Sequence, residues 1–244
     1  RGLEPLLQKE ISSLKGVSPT VVPGGVSFGG DWELCYRVNL WSRIASRVLW
    51  QVHSFTYKNE QDVYERTKAF DWPKYFAVER TLRVNVTAQQ SPLKSLEFAT
   101  LRIKDAVCDR FRDAMGKRPN VERTAPDVRI HGFFEREKAT LYLDTSGEPL
   151  FKRGWRAAQR EAPLRENLAA GIVMLTGWQA GEDLPHTLCG CGTILVEPPA
   201  MARARAPGAK RGFGFEKLRM FDAPRWEGIK REPCPEALTP VSHG

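Results

Sequence analysis

Between Leu3 and Leu14 apolar residues recur every three or four positions, at Leu3, Leu6, Leu7, Ile11 and Leu14, and that period predicts a helix. Gly16 stands where a helix commonly stops. Val21-Val22 and Val26-Ser27-Phe28 flank Gly24-Gly25, which predicts two short strands about a turn. Asp31 is placed to cap the next helix. Its apolar side carries Leu34, Val38, Trp41, Ala45 and Val48, and its other side Arg37, Arg43 and Arg47. After His53-Ser54-Phe55 a further helix is expected over 62–70.

The period then changes. Phe76, Val78, Arg80, Leu82, Val84 and Val86 occupy every second position, a strand pattern despite its one arginine. Ile103, Val107, Phe111 and Met115 return to a spacing of four, which predicts a helix over 96–115, and Gly116 closes it. Val128, Ile130 and Gly132 mark another strand, and Leu141 and Leu143 alternate with Thr140, Tyr142 and Asp144 in the next. Strands alternating with helices in this order predict small α/β units rather than a bundle or a sandwich. Turn formers from Asp144 to Pro149 mark a boundary. A helix with Pro163 in its first turn sets Leu164, Leu168, Ile172 and Leu175 in register. A glycine-rich loop and a region dominated by Arg, Lys, Pro and Gly follow, with no internal repeat.

At 244 residues the chain is long enough for one large or two small domains with real cores. Thirty-seven Lys and Arg against 29 Asp and Glu leave a net charge of +8, which favours a polyanionic partner without separating nucleic acid from a membrane surface. No apolar run approaches the roughly 20 residues that span a bilayer, and the opening residues do not resemble a signal peptide. A soluble, cytoplasmic protein is expected. The five cysteines, Cys35, Cys108, Cys189, Cys191 and Cys234, are too scattered for a disulfide framework. Cys189 and Cys191, even with His186, fall short of the four N or S ligands of a structural zinc, so no metal is expected.

Three groups of residues could carry function. Arg102, Lys104, Arg110, Arg112, Lys117, Arg118 and Arg123 outnumber the acids among them, and form either a solvated helix face or a row of phosphate contacts. Cys189-Gly190-Cys191-Gly192-Thr193 is either an ordinary turn or a loop whose glycines let a cofactor approach the backbone ahead of a helix N-terminus. Trp155 lies within Lys152-Arg153-Gly154-Trp155-Arg156, where its ring could pack or stack on a base. Among the other tryptophans, Trp41, Trp50, Trp72, Trp178 and Trp226 sit mostly among core-like residues, and the four histidines show no metal or triad spacing.

In order along the chain, these pieces resemble the THUMP-domain guanine-N2 methyltransferases of large-subunit ribosomal RNA. The resemblance rests on Arg1 to Leu7, Gly24 to Phe28 and Asn39 to Leu49, then on Arg102 to Val107 and Arg118 to Val121. Leu143 to Leu150, Arg153 to Arg156 and Ala162 to Ala170 continue it. It implies an α+β and α/β architecture in four parts. A ferredoxin-like segment spans 1–52, a THUMP RNA-binding domain 53–145 and a linker 146–162, and the start of a Rossmann-like methyltransferase domain 163–244. The family's donor loop, Asp-Pro-Met-Cys-Gly-Ser-Gly-Thr, aligns with His186 to Thr193. It assigns Pro163, Glu166, Cys189, Gly190, Gly192 and Thr193 to S-adenosyl-L-methionine. Structured RNA, of the large subunit, falls to Arg102, Lys104, Arg112, Lys117, Arg118, Arg123, Lys152, Arg153, Trp155 and Arg156.

The departures are specific. His186-Thr187 replaces the family's Asp-Pro, Pro185 stands in an expected central strand, and Pro198-Pro199 falls inside the helix after the loop. An interior proline costs about 3 kcal/mol, so a break is expected there. The Asn-Pro-Pro-Tyr motif that holds the target amine is absent. The ferredoxin-like segment begins one strand late, and the methyltransferase domain reads as truncated. The expectation is an RNA-binding part without turnover of its own. The rivals are an enzyme that works once a catalytic half is supplied, and a non-functional remnant.

Overall fold

The computed structural model describes residues 2–14, 17–154, 164–179, 182 and 192–235. They divide into two compact units: one from 1–48, 148–212 and 222–244, the other from 49–147 and 213–221.

The second unit is a four-stranded sheet with helices packed on it. Its strands are β3 (Leu49–Thr56), β4 (Leu82–Gln89), β5 (Val128–Glu135) and β6 (Lys138–Asp144), in the order β3-β6-β5-β4. β3 and β5 both run antiparallel to β6, whereas β4 and β5 are parallel. A parallel pair cannot be closed by a hairpin, and the crossover here is helix α4 (Leu96–Met115). Ser95 caps α4 by accepting from the Phe98 backbone N–H at 3.2 Å. Gly116 closes it at φ +71°, as expected. Ile103, Val107 and Phe111 are fully buried, and Leu82, Val128, Ile130, Phe134, Leu141 and Leu143 are buried on the sheet. Helix α3 (Glu60–Ala69) packs beside α4. Trp72, in a 3-10 turn over Trp72–Lys74, is wholly buried and donates its indole N–H to the Thr67 carbonyl.

Residues 213–221 return to this unit. Phe215 donates its N–H to the Thr145 carbonyl at 2.9 Å, and Arg219 donates to the Tyr75 carbonyl at 2.8 Å. A Cβ at Gly214 would stand 2.6 Å from the Asp144 carbonyl oxygen, so no other residue fits that approach without movement.

The strand expected over 76–86 begins only at Leu82 and runs on to Gln89. Phe76 is buried as a loop residue against Phe111, with ring centroids 4.9 Å apart, and burial alone produced its apolar signal. β3 was not expected at all. Its exposed and half-buried positions alternate, but no position is fully buried and a bulge between Gln51 and His53 shifts the phase midway.

The first unit carries α1 (Glu4–Ser12), the antiparallel pair β1 (Thr20–Val22) and β2 (Gly25–Ser27), α2 (Trp32–Trp41), α5 (Glu166–Leu175), α6 (Thr193–Ala202) and α7 (Ala223–Arg231). Asp31 caps α2 as expected, accepting from the Leu34 N–H at 2.9 Å. α2 stops at Trp41, earlier than its apolar face extends, because the Ser42 backbone turns extended. The Ser42 hydroxyl and the Arg43 N–H both donate to the buried Glu10 carboxylate at 2.6 Å. Ala45 and Val48 are buried beyond the helix. Arg37 and Arg43 are not on a solvated face. Arg37 pairs with Glu33 and Glu232, and Arg43 is buried. α7 packs on α2, with Tyr36 and Trp226 centroids 5.8 Å apart.

Two further expectations change. α5 buries Ala169, Ala170 and Val173, while Leu168, Ile172 and Leu175 are exposed. The tight side of the helix is thus its small-residue side. α6 runs through Pro198-Pro199 without breaking. A proline φ is already helical, and the Arg203 and Arg205 N–H groups still reach the Pro199 and Ala200 carbonyls. The strand expected at Pro185 lies outside the described residues.

Candidate nucleic-acid and methyl-donor sites

Helix α4 displays its charges as a lattice of opposite signs. Lys104 pairs with Asp105 at 3.0 Å, Arg112 with Asp109 at 2.9 Å, and Arg110 with Asp71 at 3.0 Å. Arg118 reaches Asp109 at 3.6 Å and Asp105 at 4.0 Å. Arg102 bonds to Gln61 and lies over the Tyr64 ring, 4.3 Å from its centroid. Lys117 and Arg123 are exposed and have no ion-pair partner among the described residues. The cations just after the helix are therefore the ones most open to a phosphate. Exposed pairs such as Arg112–Asp109 contribute only about 0–1 kcal/mol, so a polyanion can replace the acid.

The basic stretch after the boundary behaves differently. Lys152 is exposed beside Glu148 at 2.5 Å. Arg153, expected to contact RNA, is 5% exposed, so that assignment is corrected. Its Nε donates to Glu197 Oε1 at 3.0 Å and its Nη2 to the Arg43 carbonyl at 3.0 Å. The buried carboxylate that claims it lies 44 residues away, where no local pattern could announce it. Trp155 and Arg156 lie outside the described residues.

For the methyl donor, Pro163, Cys189 and Gly190 also lie outside the described residues, while Glu166, Gly192 and Thr193 are described. Glu166 is buried at the first position of α5, and Thr193 is buried at the first position of α6. Gly192 caps α6 in the left-handed region at φ +74°, with the Leu195 N–H donating to its carbonyl at 3.0 Å. α5 packs against α6. A glycine turn leading into a helix N-terminus fits a polar, partly anionic cofactor, so these described residues are compatible with S-adenosyl-L-methionine.

Two features had no counterpart in the sequence reading. One is the shared burial of Arg43, Arg153 and Glu197. The other is the sheet side opposite the core positions, where register places Arg83 beside Arg129, Asn85 beside His131 and Thr87 beside Phe133. Tyr142 lies opposite His131 on β6, and partial burial holds its phenol above the usual value. Phe133 remains 37% exposed there. The alternation over 128–135 separates the two sides, placing Arg129, His131 and Phe133 together on the less buried one.

Three domain families match in sequence order. The RlmL ferredoxin-like domain covers 1–49, the THUMP domain 57–144 and the RMKL-like methyltransferase domain 153–233. The chain is 42% identical over 231 residues to the ribosomal RNA large subunit methyltransferase K/L of Psychromonas ingrahamii (strain DSM 17664 / CCUG 51855 / 37). That match takes in 94% of this chain and 31% of the relative. Among solved structures, a predicted N6-adenine-specific DNA methylase from Listeria monocytogenes str. 4b F2365 superposes with a TM-score of 0.85 at 31% identity, over 97% of this chain and 62% of that one. The SAH complex of SMU.472 gives 0.83 at 28% identity, over 94% and 60%. This is a THUMP-domain protein with ferredoxin-like and methyltransferase-type segments on either side. Over nearly its whole length it is similar to a large-subunit ribosomal RNA methyltransferase, and its three segments match that protein type's ferredoxin-like, THUMP and RMKL-like methyltransferase domains in order. The chain spans about a third of the length of the curated relative it matches.

Proposed function

We propose that this chain is the RNA-binding portion of an S-adenosyl-L-methionine-dependent methyltransferase acting on guanine N2 of 23S ribosomal RNA, and that alone it does not turn over. The observation that carries this reading is the order of the three matched segments, with the THUMP match in the middle. Lys117, Arg118 and Arg123 give that middle segment an exposed cationic end, Lys104 and Arg112 add cations whose acids are exchangeable, Arg102 adds one held by Gln61 and Tyr64, and Lys152 adds another beyond the segment.

Structured RNA is expected to bind with an affinity that falls steeply as salt rises. In a filter-binding series, Lys117→Ala with Arg123→Ala should flatten the plot of log K against log salt by about 1 for each contact removed. An affinity indifferent to salt, or a double variant with an unchanged slope, contradicts the proposal. The second reading, an enzyme completed by further catalytic residues, draws on the neighbour solved with SAH. Under it, Gly192 and Thr193 help hold the donor.

A further inference from the structure

In the first unit a concavity of about 180 Å³ lies beside α6, with Arg43, Arg153, Glu197, Arg205 and Lys210 on its wall. One water occupies roughly 10–15 Å³ by a comparable measure, so there is room for a small oxyanion and its hydration. Its charge is one-sided. Arg43 and Arg153 are 8% and 5% exposed and share a single carboxylate, Glu197, which is 2% exposed. Arg43 Nη1 reaches Glu197 Oε2 at 3.4 Å, and Arg153 Nε reaches Oε1 at 3.0 Å. The next carboxyl, Glu10, accepts from the Ser42 hydroxyl and the Arg43 backbone N–H. Burial pushes it toward its neutral form. Two buried cations therefore share one buried anion, and buried charge without full compensation is costly.

The rim adds to the excess. Arg205 and Lys210 are exposed and bring two more cations. Their loop is fixed through its backbone. The Arg205 carbonyl accepts from Arg43 Nη2 at 2.6 Å, and the Gly208 N–H donates to the Leu40 carbonyl at 2.9 Å. Gly154, at φ +81°, lets the loop sit close, because a Cβ there would be 2.5 Å from the Lys210 carbonyl oxygen. Four cations and one carboxylate thus surround one preorganised hollow.

We propose that this hollow binds a phosphate-class oxyanion, with Arg205 and Lys210 as its outer contacts and the Arg43–Arg153 pair supplying the field behind them. The same chemistry could come from a free phosphate ion or from a phosphate of the RNA backbone. Neither source depends on the methyl donor, so failure of the donor reading leaves this one standing.

The test uses the full chain and inorganic phosphate, titrated by calorimetry and by thermal unfolding at constant ionic strength with chloride as the balancing salt. Saturable heat and a rising melting temperature are expected. Arg205→Ala with Lys210→Ala should weaken binding at least tenfold while leaving the phosphate-free melting temperature unchanged. Lys210→Glu should abolish binding, with the melting temperature as the control for folding. Flat wild-type titrations, or undiminished binding by the double variant, overturn the proposal. A competition arm separates the sources. An RNA-backbone site predicts that phosphate displaces RNA at fixed ionic strength and that the double variant binds RNA more weakly. A free-phosphate site predicts an unchanged RNA affinity.

Discussion

Glu10 illustrates how one buried carboxyl can tie a chain break to pH. Burial raises it above the ordinary carboxylate value of 4.5, against the lowering effect of bonds from Ser42, Arg43 and Ile44. A raised folded value means that the native state holds this proton more tightly than the unfolded chain. Its contribution is complete below about 4.5, where both states are protonated, and is lost as pH rises through the folded value. Glu10→Gln keeps an acceptor for the Arg43 N–H and removes the titration. The melting temperature of the wild type relative to Glu10→Gln is therefore expected to fall as pH climbs above this value. A pH-independent difference would show that Glu10 does not titrate across that range. Arg153 carries the complementary lesson. Its neighbours mark it as a surface cation, and only the fold reveals a carboxylate waiting inside.

Among the elements, α4 was the most legible. Its twenty residues, its serine cap and its glycine stop follow from local chemistry, and the spacing of Ile103, Val107 and Phe111 identifies the buried side. α5 was legible as a helix and misread as a surface, because periodic leucines signal an apolar side whether or not anything covers it. The two helices thus predict opposite results from similar truncations. Ile103→Ala should cost roughly 2–5 kcal/mol in denaturant unfolding, whereas Leu168→Ala should stay within about 0.5 kcal/mol. A large loss at Leu168 would show that this side is packed in solution. β3 escaped notice for a different reason. It is an edge strand whose partner β6 lies about ninety residues onward, so its place depends on a pairing that no local window contains.

For the whole molecule, net charge and segment order carried more than any single motif. The excess of +8 pointed toward a polyanion, and the resemblance supplied RNA and the methyl donor. Of the proposed donor residues, the structure places Glu166 and Thr193 at the heads of two packed helices and Gly192 in the left-handed turn before the second. Calorimetry with S-adenosyl-L-methionine tests whether that arrangement binds. Heat that saturates, and that is lost in Gly192→Val (a β-branched residue forced to positive φ), would favour the enzyme reading. Absent heat would leave RNA capture as the activity of this chain.

The return of residues 213–221 to the sheet has a consequence for how the protein is made. A chain emerging from the ribosome has produced all four strands by Asp144, yet the Thr145 carbonyl and the space beside Gly147 are not met until Phe213 to Phe221 follow. The sheet unit is therefore discontinuous in sequence: residues 148–212 of the other unit are made before its last piece. An expression boundary drawn at the end of β6, natural as it looks on paper, would leave out the segment that completes it.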